Sequence, residues 1–135
     1  MKIGFTGTQQ GMTEEQRVHL ANNMLIEIVT ADENIEFHHG DCIGADAEAH
    51  ELVRVLFPYA TIVIHPPSNP SKRAYCRGDL VLPTKTYLDR NHDIVNSVDY
   101  MFATPKEPEE VLRSGTWATI RYARKKNVPI EVITP

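Results

Sequence analysis

The stretch RSGTWATIRYA, residues 113–123, sets Arg113 ahead of Ser114, Gly115 and Thr116 where apolar residues begin to recur at helical spacing. The first N–H groups of a helix have no partner inside it and carry the positive end of its dipole. Small hydroxylated residues around a glycine let an anion approach those groups, so the turn reads as a phosphate-holding helix start. Arg113 adds a guanidinium able to grip a phosphate in a forked geometry. The first turn carries no acid, although acids are its usual occupants. The simpler alternative is that Ser114 serves only as an N-cap.

Three other stretches carry residues able to do chemistry. GFTGTQQG places Gly7, Thr8 and Gln9 between Gly4 and Gly11, which allows tight turning and close backbone approach. Its spacing departs from the GxGxxG dinucleotide fingerprint. HHGDCIGADAEAH holds Gly40, Asp41, Cys42, Gly44, Asp46 and His50, with Asp46 and His50 four apart on one helical face. Cys42, Asp46 and His50 with His38 or His39 are suitable metal ligands by type, but their spacing matches no zinc signature. No metal and no cofactor is therefore expected. HPPSNPSKRAYCRG contributes His65 at a strand end and a basic cluster of Lys72, Arg73 and Arg77 beside Tyr75; the plain alternative is a solvated charge run. YLDRNHDIVNS adds Arg90 and Asn91.

The elements that must position these residues follow from periodicity. Strands are expected at residues 2–6, 35–39, 60–65, 98–103 and 130–133. Helices are expected at 14–30, 45–57, 86–97 and from about 114 to 126. Thr13 and Gln16 fit a capping box at the first helix, and Asp32-Glu33-Asn34 reads as a turn after it. Residues 66–84, rich in proline, read as a long binding or lid loop. Alternating strands and helices predict one α/β domain over residues 1–135, with a mostly parallel five-stranded sheet and helices on both faces. Ligands of such sheets lie beyond the carboxyl ends of the strands, which is where these four stretches fall.

The chain has 135 residues and a net charge of −4. An acidic balance argues against a broad nucleic-acid footprint. No apolar run is long enough to span a bilayer, and the N-terminus reads as a strand rather than a signal peptide. Cys42 and Cys76 form no CxxC pair and are expected as free thiols in a cytoplasmic protein.

Taken in order, these motifs resemble the SLOG superfamily of Rossmann-like domains. GDCIGADAEAH is similar to the glycine-rich GxAxGID-xx-AH stretch of the DNA-processing protein A family. DRNHDIVNSVDYMFAT and RSGTWATIRYARKKNVPIEVITP resemble the segments that follow it there. The layout also resembles the cytokinin-activating phosphoribohydrolases of the lysine-decarboxylase-like group. The resemblance implies a pocket for a nucleotide or nucleotide-derived ligand. Its phosphate would sit at Ser114, Gly115 and Thr116, and Gly7, Thr8, Gly40, Gly44 and Asp46 would line the other side. It also implies a homo-oligomer.

Phosphoribohydrolases of that group carry GGxGTxxE; here the glutamate position is Thr119. Arg90 remains, but its carboxylate partner is missing, and cleaving an N-glycosidic bond calls for a carboxylate. Binding without cleavage is the first expectation. The alternatives are an N-glycosidase using Asp41 or Asp46 with Arg90, and a single-stranded-DNA accessory protein.

Overall fold

A computed structural model describes residues 1–29 and 34–135. Six strands form one parallel sheet: β1 (Lys2–Gly7), β2 (Glu36–His39), β3 (Thr61–Ile64), β4 (Leu80–Val81), β5 (Tyr100–Thr104) and β6 (Ile130–Val132). Among the described residues four α-helices accompany them: α1 (Glu14–Val29), α2 (Ala45–Leu56), α3 (Tyr87–Ser97) and α4 (Gly115–Lys125). The strand order is β4-β3-β2-β1-β5-β6. Position 30 of the expected first helix and positions 32 and 33 of the expected turn lie outside the described residues.

The expected count of five strands is corrected to six. The additional strand, β4, is two residues long, lies at the sheet edge, and exposes both Leu80 and Val81. So short a pair between prolines has no period for a sequence pattern to register. A 3-10 turn, Pro70–Lys72, also breaks the stretch expected to be irregular.

Side chains alternate across the sheet as the strand period of two requires. On β5, Phe102 joins Phe5, Leu20, Met24, Ala49 and Val53 in a cluster beneath α1 and α2. Its neighbour Met101 packs with Ile94, Val95 and Ala123 beneath α3 and α4, and Ala103 packs with Trp117 and Ile120. Trp117 is therefore a core side chain. Gly4 lets α3 lie close to the sheet, since a Cβ there would come within 3.0 Å of the Val98 side chain. Helix α1 begins with a reciprocal cap: Gln16 N–H donates to Thr13 Oγ1 at 3.1 Å, and Thr13 N–H donates to Gln16 Oε1 at 3.0 Å. No helix among the described residues is long and apolar enough to cross a membrane.

The chain leaves β1 toward β2, β3 and β4, then returns to add β5 and β6 on the other side of β1. The direction of winding thus reverses between β1 and β5. The loops leaving two such strands diverge and open a crevice at their carboxyl ends.

Candidate functional site

A cleft of about 450 Å³ lies at that switch point. Gly7, Thr8, Gln9 and Gln10 line it after β1, and Lys106, Glu107, Arg113, Ser114, Gly115 and Thr116 line it after β5. Ile43, Lys72 and Tyr87 complete the wall. This volume suits a small molecule, whose sites commonly run from about 300 to 1,000 Å³.

The turn after β1 is stitched through Thr8. Its carbonyl accepts the N–H groups of Gly11 at 3.2 Å and Ala45 at 2.9 Å, and its hydroxyl accepts that of Gln10 at 3.2 Å. Thr8 N–H donates to the Thr104 carbonyl at 3.1 Å, extending the β1–β5 pairing into the turn. Gly7 must be small, because a Cβ there would stand 2.5 Å from both Ala45 and Thr104 Oγ1.

Ser114 caps α4: its Oγ accepts Trp117 N–H at 3.1 Å, and its carbonyl accepts Ala118 N–H at 2.9 Å. The capping role weighed from sequence is thus present. It leaves the N–H groups of Gly115 and Thr116 without an acceptor among the described residues, at the cleft wall. Gly115 packs against Tyr87, whose ring a Cβ would approach to 2.4 Å. Lys72, Lys106 and Arg113 add positive charge; Glu107 is the one acid lining the cleft among the described residues.

Gly40, Asp41, Gly44, Asp46, His65, Arg73, Arg90 and Asn91 are not among the cleft's lining residues. Most of them build a buried polar network at the carboxyl end of β2. Arg90, on α3, is 2% exposed and donates through Nη1 to the Gly40 and His65 carbonyls and through Nη2 to Cys42 Sγ at 3.2 Å. Its guanidinium lies 4.6 Å from the centre of the Tyr87 ring. A side chain on Gly40 would collide with that guanidinium at 2.0 Å. Asn91 is buried next to Arg90 in the chain.

Asp46 Oδ2 accepts Cys42 N–H at 3.1 Å, while Oδ1 has no partner among the described residues. Burial raises its pKa to about 6, against the opposing pull of Arg90. Asp41 is wholly buried and accepts Arg73 Nε at 3.0 Å and Cys76 N–H at 2.9 Å. Neither carboxylate meets the cleft. Burial raises the Cys42 thiol pKa, which opposes a thiolate nucleophile there.

Two histidine pairs flank this network. The Asp41 N–H donates to His39 Nδ1 at 2.9 Å, so the proton of His39 is on Nε2 and is donated to His50 Nδ1 at 2.9 Å. Burial holds the His39 pKa well below its ordinary value. His39, His50 and Cys76 offer ligand atoms within 4.8 Å of one another. A metal at His39 Nε2 would have to strip that ring of its last proton while Nδ1 still faced an N–H. Burial also pushes the Cys76 thiol up to about 12. This donor set fits a hydrogen-bonded core better than a divalent cation.

In the second pair, His38 Nε2 meets the Glu36 carboxylate at 3.0 Å and His38 Nδ1 meets His65 Nε2 at 2.8 Å. His65, lowered to about 4 mainly by burial, lines a separate cavity of about 270 Å³ with Lys85, Arg90 and Asp93.

Sequence reasoning did not single out Lys106, Glu107, Ile43 or Tyr87. Glu107 lies in TPKEPEEVL, where nothing local distinguishes the acid that faces the cleft from its neighbours. Glu107 Oε1 is buried and accepts no hydrogen bond among the described residues.

No protein-family model and no curated protein sequence matches the chain. Among solved structures, the fold is similar to that of the molybdenum cofactor binding protein from the phototrophic bacterium Rippkaea orientalis. The TM-score is 0.72 at 18% identity, over 99% of this chain and 76% of that one. At that identity the likeness shows a shared parallel-sheet α/β fold.

Proposed function

We propose that the chain holds a nucleotide-derived, phosphate-bearing small molecule in the switch-point cleft, with its phosphate on the start of α4. The observation that carries this reading is the pair of N–H groups, on Gly115 and Thr116, at the wall of a cleft that also collects Lys72, Lys106 and Arg113. A mobile ligand sensed, carried or sequestered by a cytoplasmic homo-oligomer of the SLOG superfamily fits this arrangement. The structural neighbour's name, a molybdenum cofactor binding protein, lends support to a small-molecule ligand on this architecture.

Binding is favoured over turnover because neither Asp41 nor Asp46 lines the cleft, and Thr119 Oγ1 donates to the Gly115 carbonyl at 2.9 Å inside its own helix. Of the two alternatives, the hydrolase reading keeps one observation in its favour, the Glu107 carboxylate in the cleft. A role on single-stranded DNA is opposed by the net charge of −4.

The test is to denature protein purified from cells and identify released small molecules by mass spectrometry. Nucleoside monophosphates and the molybdenum cofactor would be screened by thermal shift in parallel. A phosphate-bearing compound that is recovered, or that raises Tm while its dephosphorylated form does not, is the expected result. No released compound and no shift with any phosphate-bearing ligand would overturn the reading. Free base appearing in the nucleotide samples would replace it with the hydrolase reading.

A further inference from the structure

Glu107 is out of character with the rest of the cleft. Lys72, Lys106, Arg113 and the start of α4 all attract an anion, whereas a carboxylate beside them repels one. Its Oε1 is covered by protein yet accepts no hydrogen bond. A buried acceptor in that condition is costly until a donor reaches it. Both oxygens reach the cleft only when the half-buried side chain changes its terminal torsions, of which the last is broad and two-fold. The cleft therefore combines groups that attract an anion with one acceptor for hydrogen-bond donors. Ile43, 42% exposed, lines the same cleft and supplies an apolar surface for a ring.

We propose that Glu107 selects ligands whose ring presents two adjacent donors, an N–H and an NH₂, as the 2-amino-4-oxopyrimidine edge of guanine does. Such an edge gives a carboxylate two parallel charge-assisted hydrogen bonds. Hypoxanthine keeps the ring N–H but lacks the amino group. Adenine sets its amino group beside an unprotonated nitrogen, which would face a carboxylate lone pair. Pterins carry the same edge as guanine. The assignment rests on the phosphate reading of the cleft and adds the class of ring to it.

The test is calorimetric titration with ribose 5-phosphate, GMP, IMP, AMP and neopterin phosphate, on the wild type and on Glu107→Gln. GMP should bind at least about tenfold more tightly than IMP or AMP, the scale of a bidentate contact. In Glu107→Gln the GMP-to-IMP ratio should fall to within about twofold, with ribose 5-phosphate bound as well as before or better. Neopterin phosphate binding more tightly than GMP would support the same edge from a pterin source. Equal wild-type affinities for GMP and IMP, with ribose 5-phosphate still bound, would overturn the assignment and spare the phosphate reading. No binding by any of the five would overturn both. Guanine released from GMP by the wild type but not by Glu107→Gln would also overturn it, by making Glu107 a hydrolytic group.

Discussion

Asp41, wholly buried, and the half-buried Arg73 form an ion pair, Nε to Oδ2 at 3.0 Å, between residues 32 positions apart in the chain. The other Asp41 oxygen accepts Cys76 N–H at 2.9 Å, and the Asp41 carbonyl accepts Ala74 N–H at 2.7 Å. Arg73 in turn lies over the Tyr75 ring at 4.6 Å. Asp41 sits at a φ of 54°, a left-handed conformation that aspartate tolerates better than most residues. The loop after β2 and residues 73–76 are thereby one unit, and the carboxylate that could have served catalysis is a fastener.

Removing that fastener should be expensive. Asp41→Ala leaves the half-buried Arg73 and the part-buried Cys76 N–H without their acceptor, a loss of about 1–3 kcal/mol. Urea denaturation should show that loss. A change below about 1 kcal/mol would mean the pair is not what joins the two loops.

Asp46 makes a pH-dependent prediction. Its pKa, about 6 in the fold, exceeds the ordinary value of 3.8. The folded protein therefore binds more protons than the unfolded chain between about pH 4 and 6, and this group's contribution falls as pH rises through that window. The displacement corresponds to on the order of 3 kcal/mol. Asparagine keeps an oxygen for Cys42 N–H and does not titrate. The Tm of Asp46→Asn relative to wild type should therefore climb from pH 4.5 to pH 7.5 and level off. The buried histidines act in the opposite sense: His65, lowered to about 4, contributes stability that is lost as pH falls below its ordinary 6.5. They are common to both proteins and largely drop out of the difference. A Tm difference that is flat with pH would contradict the account of Asp46.

Gly44 should resist substitution. It has a φ of 91°, and a Cβ there would stand 2.3 Å from the Gln9 carbonyl oxygen. Gly44→Ala combines backbone strain with a backbone collision, so a loss of more than about 1 kcal/mol is expected. Because the collision is with the cleft's first loop, ligand affinity should drop as well. An alanine variant as stable as wild type would show that the two loops are not in this close contact.

Capping and ligand binding at α4 should separate by mutation. Ser114→Ala removes the acceptor of Trp117 N–H and should cost about 1 kcal/mol of stability. Arg113→Ala, at an exposed residue, should leave stability within about 0.5 kcal/mol. It should nevertheless weaken a phosphate-bearing ligand several-fold through the loss of a charge-assisted contact. Thermal melts and titrations of the two variants distinguish these effects. Equal ligand affinity in Arg113→Ala and wild type would remove Arg113 from the site.

Local signals made much of this legible in the sequence. Thr13 and Gln16 name the start of α1 because a capping box lies within four residues. Ser-Gly-Thr marks the end of α4 that lines the cleft because its cap, Trp117 N–H to Ser114 Oγ, is equally local. Long-range pairing was not legible. Asp41 reads as a loop carboxylate until Arg73 arrives from 32 positions away. His39 and His50, metal ligands by type alone, become a hydrogen-bonded pair only once the fold brings the Asp41 N–H to fix the ring proton. β4 has too few residues to show a period, and only the fold picks Glu107 out of an acidic loop.

The most direct measurement is an amide ¹H–¹⁵N spectrum recorded while a nucleoside monophosphate is titrated in, with the unphosphorylated nucleoside as control. The account predicts that the Gly115 and Thr116 amides move most, followed by those of the Gly7–Gln10 turn, and that the nucleoside alone leaves Gly115 and Thr116 in place. Shifts centred on another surface, or Gly115 and Thr116 unmoved at saturation, would contradict a phosphate held at the start of α4.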